Sequence, residues 1–92
     1  MRDDEFEWDD AKDTSNLAKH EATFETARAA FDDPNWIEDD DLDPDELRYL
    51  RICQLNDRIY AIICTDRGSR SRLISARRAN AHEQHRYEEG QS

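Results

Sequence analysis

Ninety-two residues, 36% hydrophobic and 39% charged, allow one domain near the smallest size that buries an adequate core unaided, and exclude a second. The formal net charge of −10 comes from 23 acids against 13 bases, while the grouping of the apolar residues argues against wholesale disorder. No run of about 18 apolar residues exists to cross a membrane, and the acidic opening MRDDEFEWDD lacks the basic and apolar parts of a signal peptide, so a cytoplasmic chain is expected.

In chain order, a frayed start leads to Trp8, after which Asp9 or Asp10 can cap a helix running to about His20. A second helix begins at Thr23, with Phe24, Ala27, Ala30 and Phe31 as its buried stripe. Thr26 stands where a full capping box would place Glu or Gln, so the cap is half formed, and Asp33-Pro34 ends the helix. Asn35-Trp36-Ile37 reads as a short edge strand. Residues 38–46, EDDDLDPDE, hold seven acids in nine positions and read as a loop. Three strands follow, 47–55, 58–65 and 70–77, rich in isoleucine and tyrosine and joined by turns at Asn56-Asp57 and 66–69. Short connections make these neighbours antiparallel. A polar helix over 79–89, stopped by Gly90, closes the chain. The order predicts an α+β domain over residues 1–92: two N-terminal helices, an antiparallel sheet of about four strands and a C-terminal helix.

A hairpin turning at Asn56-Asp57 would pair Cys53 with Tyr60 and Cys64 with Tyr49, so the two cysteines are expected as free, partly buried thiols. Their spacing is unlike a zinc site, and His82 and His85 stand at i and i+3 where a metalloprotease helix needs i and i+4; no metal and no cofactor is expected.

The charge is unevenly spread. Residues 1–46 carry 18 acids and 4 bases, whereas 47–92 carry 5 acids and 9 arginines. Lys12, Asn16 and His20 lie on one face of the first helix with Lys19 beside them, and read either as a solvated face or as a cationic strip in which histidine supplies an acid or base near neutrality. Arg67, Arg70, Arg72, Arg77 and Arg78 crowd one turn, one strand and the junction after it. By the period of two, Arg70 and Arg72 share a strand face and Arg77 takes the other. Arginine suits bidentate phosphate contacts, which points to a polyanion partner; pairing with the acidic half is the alternative. Abundant aspartate with only two lysines is compatible with adaptation to high salt.

Three stretches, FEWDDAKDTSNLAKHEATFETARAAFDDP (6–34), ELRYLRI (46–52) and RLISARRANAHEQHRYEE (72–89), together resemble the BrnT-type toxins of type II toxin–antitoxin pairs. The chain differs from that pattern at Glu21, where the family has glycine, in the acidity of 38–46 and in its negative net charge. The resemblance implies a RelE-like fold, endoribonuclease cleavage of RNA that inhibits translation, and neutralisation by a BrnA-type antitoxin. That antitoxin would be a ribbon-helix-helix protein in a 2:2 complex, with operator DNA reached only through it. Metal-independent cleavage uses the substrate's 2′-OH as nucleophile and needs a base, an acid and cations around phosphorus. His20 or Lys19 are the candidates for proton transfer, and Arg48, Arg77 and Arg67 for transition-state charge. Trp8 is the candidate for base stacking, and Lys12, Arg67, Arg70, Arg72 and Arg78 for holding RNA. Arg77 packed against Glu83 or an acid of the first helix is the structural alternative. A non-catalytic or degenerate member serving as an antitoxin-binding module in operon regulation is the competing function.

Overall fold

A computed structural model describes residues 2–20, 22–41 and 47–90, with Asp40 and Asp41 described by backbone alone. The described elements are β1 (Phe6–Glu7), α1 (Asp10–His20), α2 (Phe24–Ala30), β2 (Ile37–Asp41), β3 (Arg48–Leu55), β4 (Arg58–Arg67), β5 (Arg70–Arg78) and α3 (Ala81–Gly90). Asp9 caps α1, its carboxylate accepting from the N–H groups of Ala11 and Lys12 at 2.8 and 3.2 Å. Thr23 caps α2 by accepting from Thr26 N at 3.2 Å, and Asp13 of α1 accepts from Phe24 N at 2.9 Å, which fixes the angle between the two helices. Asn80 and Glu83 close a reciprocal box at the start of α3, each accepting the other's N–H at 2.9 Å.

The strands form one sheet in the order β1-β5-β4-β3-β2, antiparallel except where β1 pairs parallel with β5. The β3–β4 hairpin has the expected register, Cys53 opposite Tyr60 and Cys64 opposite Tyr49. Asn56 carries its turn at φ 57°, a left-handed conformation asparagine tolerates. One face of the sheet presents Cys53, Tyr60, Ile62, Cys64, Leu73 and Ala76 to Phe24, Ala27 and Ala30 of α2, with Phe6 and Trp8 in the same core. The other face carries Ile52 and Ala61, both buried, under α3, whose Tyr87 and Glu83 reach Gln54 and Arg77. Asp33 anchors that helix from the end of α2, accepting from Tyr87 Oη at 2.6 Å and from Gln54 N at 2.8 Å.

The α+β class holds, with five strands rather than about four and a mixed rather than purely antiparallel sheet. The expected frayed start is a turn and a strand: Asp3 accepts from the N–H groups of Glu5 and Phe6, and Phe6 goes under the core. The expected loop over 38–46 is a strand as far as Asp41; the remainder lies outside the described residues. Its acids are tolerated because β2 is an edge, with Glu38 paired to Arg51 and Asp39 to Arg86. The edge strand at Asn35-Trp36-Ile37 therefore starts only at Ile37, and the closing helix starts at Ala81, because Asn80 outcompetes Ala79 as a cap.

Candidate active-site cleft

Asn16 ties α1 to the sheet. It is buried in a helix that is otherwise mostly exposed, and its amide donates to Ala76 O at 2.6 Å and Ala22 O at 2.8 Å. Its carbonyl accepts from Ala76 N at 3.1 Å. One side chain thus pairs the main chain of β5, which beyond Arg72 has no neighbouring strand on that side among the described residues. The residues one turn to either side of Asn16 are consequently set along the edge of β5. Between them lies an open cleft of about 300 Å³, lined by Lys12, Ser15, Asn16, Lys19, His20, Ile74 and Ser75. Ile74 is placed there by a bulge: Ile63 and Cys64 pair with Ser75 and Leu73, leaving Ile74 as the extra residue. Lys19 and His20 occupy the last turn of α1, where the helix dipole favours cations. Among the described residues, Lys12, Lys19 and His20 form no ion pair. The lysines are exposed, and Ser15 and Ser75 add hydroxyls that donate or accept.

The arginines are arranged differently. The bulge reverses the alternation between Leu73 and Ser75, so Arg70, Arg72 and Arg77 share one face, opposite Arg67, Thr65 and Ala61; the expected split of Arg77 from the other two is corrected. Arg48 stands on this face too, two residues before Leu50 and four before Ile52. Arg77 grips Glu83 with two nitrogens at 2.6 and 2.9 Å. Those bonds hold the Glu83 carboxyl below the ordinary glutamate range, against burial that pushes it up. Arg72 pairs with Glu7 at 2.8 Å, and Arg70 Nε donates to Asp3 O at 2.5 Å. Arg67 and Arg78 are exposed. None of Arg48, Arg67, Arg70, Arg72, Arg77 and Arg78 lines the cleft.

Trp8 is 5% exposed and meets Phe24 edge-on, ring centroids 5.9 Å apart, so its indole packs in the core, at the floor of an opening it shares with Glu25, Arg28, Ala29 and Asp32. The exposed tryptophan is Trp36. Cys53 and Cys64 are free and fully buried rather than partly so, and burial pushes both thiols up to about 12. His85 pairs with Glu89 at 2.8 Å. Among the described residues no three of His, Cys, Asp and Glu converge as a metal site.

A family model described as the ribonuclease toxin, BrnT, of type II toxin–antitoxin systems matches residues 8–83. The chain belongs to the BrnT family. No curated protein matches it. For a BrnT ribonuclease, the structure gathers Lys12, Lys19 and His20 from the predicted set at one cleft and leaves the arginines and Trp8 out of it. Sequence reading missed Ser15, Ile74 and Ser75 as its wall. Ser15 carried a signal, being three residues from Lys12 and four from Lys19; the two β5 residues depend on a bulge that no local pattern marks. No helix among the described residues is long and apolar enough to cross a membrane.

Proposed function

We propose that this BrnT chain is a single-domain, RelE-like endoribonuclease toxin of the cytoplasm that cleaves single-stranded RNA without a metal, in the cleft between α1 and β5, and so inhibits translation. The observation that carries the reading is the convergence of Lys12, Lys19 and His20, unpaired, with two serine hydroxyls at one opening. A space of about 300 Å³ is at the small end of ligand sites and suits one nucleotide of a strand rather than a duplex. Cleavage would proceed by attack of the 2′-oxygen on phosphorus, with the P–O5′ bond breaking to leave a 2′,3′-cyclic phosphate and a free 5′-hydroxyl. His20 would take the 2′-OH proton or return one to the 5′-oxygen, with Lys19 as the alternative. Lys12 and the remaining lysine would offset charge on the phosphorane, helped by the serine hydroxyls. Arg67 and Arg78 would hold flanking phosphates, and Arg77 would be a structural clamp. Control would come from a BrnA-type, ribbon-helix-helix antitoxin in a 2:2 complex that alone contacts operator DNA.

The test is cleavage of a single-stranded RNA in the presence of a chelator, with the same strand carrying one 2′-deoxy position as control. His20→Ala should slow cleavage by about a hundredfold or more while the fold melts as before. Unchanged cleavage in His20→Ala and in Lys19→Ala would remove the cleft from the chemistry. A second reading, an antitoxin-binding module without activity, is favoured by the internal neutralisation of Arg72 and Arg77. It predicts no cleavage by the unaltered chain and no growth arrest on expression.

A further inference from the structure

β2 is the outer strand of the sheet, paired with β3 at five register positions and with no strand on its other side among the described residues. Its main-chain donors and acceptors on that side meet no strand among the described residues, and its sequence, Ile37-Glu38-Asp39-Asp40-Asp41, is acidic. Acids on an edge discourage pairing with a second copy, because like charges would stand opposite one another. They favour one kind of strand, a basic one. Trp36, just before β2, is 42% exposed. Its ring is backed by the Arg51 guanidinium, 3.9 Å from the centroid, which also lies 4.2 Å from the Phe31 centroid and 3.4 Å from Glu38. A braced, half-exposed indole beside an open edge is the sort of anchor that carries interface energy. Glu38 and Asp39 are paired with Arg51 and Arg86. By sequence, however, residues 38–46 hold seven acids, more than two arginines neutralise, and that excess repels a phosphate backbone and attracts a cationic polypeptide.

We infer that the outer edge of β2 docks a lysine- or arginine-bearing extended segment of a partner protein, which joins the sheet as an added strand and lays an apolar side chain against Trp36. Main-chain hydrogen bonds would supply affinity, and the acids of β2 would select the basic sequence. The site is separate from the ribonuclease reading: β3 and β4 lie between β2 and β5, so the bound segment leaves the cleft open.

The probe is a short peptide alternating lysine and threonine around a central leucine, titrated into the full chain and followed by amide hydrogen exchange. Amides within Ile37–Asp41 should gain protection. N-methylating the peptide along its pairing edge should weaken binding more than about tenfold by removing several ladder bonds. Trp36→Ala should weaken it about tenfold while RNA cleavage stays unchanged. Protection absent from β2, or binding indifferent to N-methylation, would overturn the inference by reducing it to diffuse charge attraction. A Trp36→Ala variant that binds the peptide normally but loses RNA would overturn it in favour of an RNA surface.

Discussion

Glu83 joins two structures that would otherwise separate. Its carboxylate accepts both nitrogens of Arg77 and the N–H of Asn80, so the end of β5 and the start of α3 are held by one side chain that is 8% exposed. Glu83→Gln keeps the shape but not the charge, and should cost about 2 kcal/mol, or roughly 10 °C in melting temperature for a domain of this size. The pH dependence has a fixed sign. Because Arg77 lowers the folded-state value below the ordinary 4.5, the carboxylate's stabilisation is complete above that ordinary value and is lost as pH falls through the lowered one. The wild type should therefore lose melting temperature faster than Glu83→Gln in acid, until the two converge. Parallel curves would show that the pair contributes nothing through its charge. Cys53 and Cys64 give a second residue-scale test. Thiols raised to about 12 by burial should resist a thiol reagent at neutral pH in the native chain, and both should react in denaturant without reductant. The hairpin register that separates the two sulfurs was legible because a two-residue turn fixes every pair after it. The fate of Trp8 was not, because an aromatic beside a helix cap reads the same whether it faces a core or a ligand.

Among the elements, β1 shows where local pattern runs out. Two residues carry no periodicity, and their partner Ser71–Arg72 lies at the far end of the chain. What makes the strand is a set of long-range contacts: Ser71 N donates to Glu5 O at 2.8 Å, Arg28 pairs with Asp3 and lies over the Phe6 ring, and Phe6 meets Phe31 edge-on at 5.2 Å. Phe6→Ala should accordingly cost about 3 kcal/mol and release the Ser71 amide to exchange before the rest of β5. Simultaneous loss of protection along all of β5 would mean that β1 has no separate stability. β2 was hidden for the opposite reason. Its residues look like solvent-facing acids, and its strand character comes from pairing with β3 and from Arg51 and Arg86. The Asn80-x-x-Glu83 box at the head of α3, by contrast, was in the sequence to be read, and it outranks the alanine before it. At the cleft, the lysines and histidine of α1 were legible from helical spacing, while the β5 wall depends on the bulge at Ile74.

At the scale of the whole molecule, three of the nine arginines of the second half answer to acids of the first, Arg51 to Glu38, Arg72 to Glu7 and Arg86 to Asp39, and Arg70 donates to the main-chain carbonyl of Asp3. A net charge of −10 on a chain with a 12.6 Å radius of gyration still leaves many like charges within about one Debye length of each other at 0.1 M salt. Raising salt toward roughly 1 M should screen that repulsion at a loss of only about 0–1 kcal/mol per exposed ion pair. The melting temperature should therefore climb with salt. RNA affinity should move the other way, and weakly. Lys12 and Lys19 at the cleft with Arg67 and Arg78 beyond it, each displacing about 0.7 counterion from a single strand, give a log–log slope near −3, shallower than a basic nuclease that grips many phosphates. Thermal melts and RNA titrations on one salt series measure both. A melting temperature that stays flat or falls would remove the high-salt interpretation of the acidity. An RNA slope steeper than about −4 would require the arginines on the α3 face to release their carboxylates and bind phosphate, and would move the RNA path from the cleft onto the sheet.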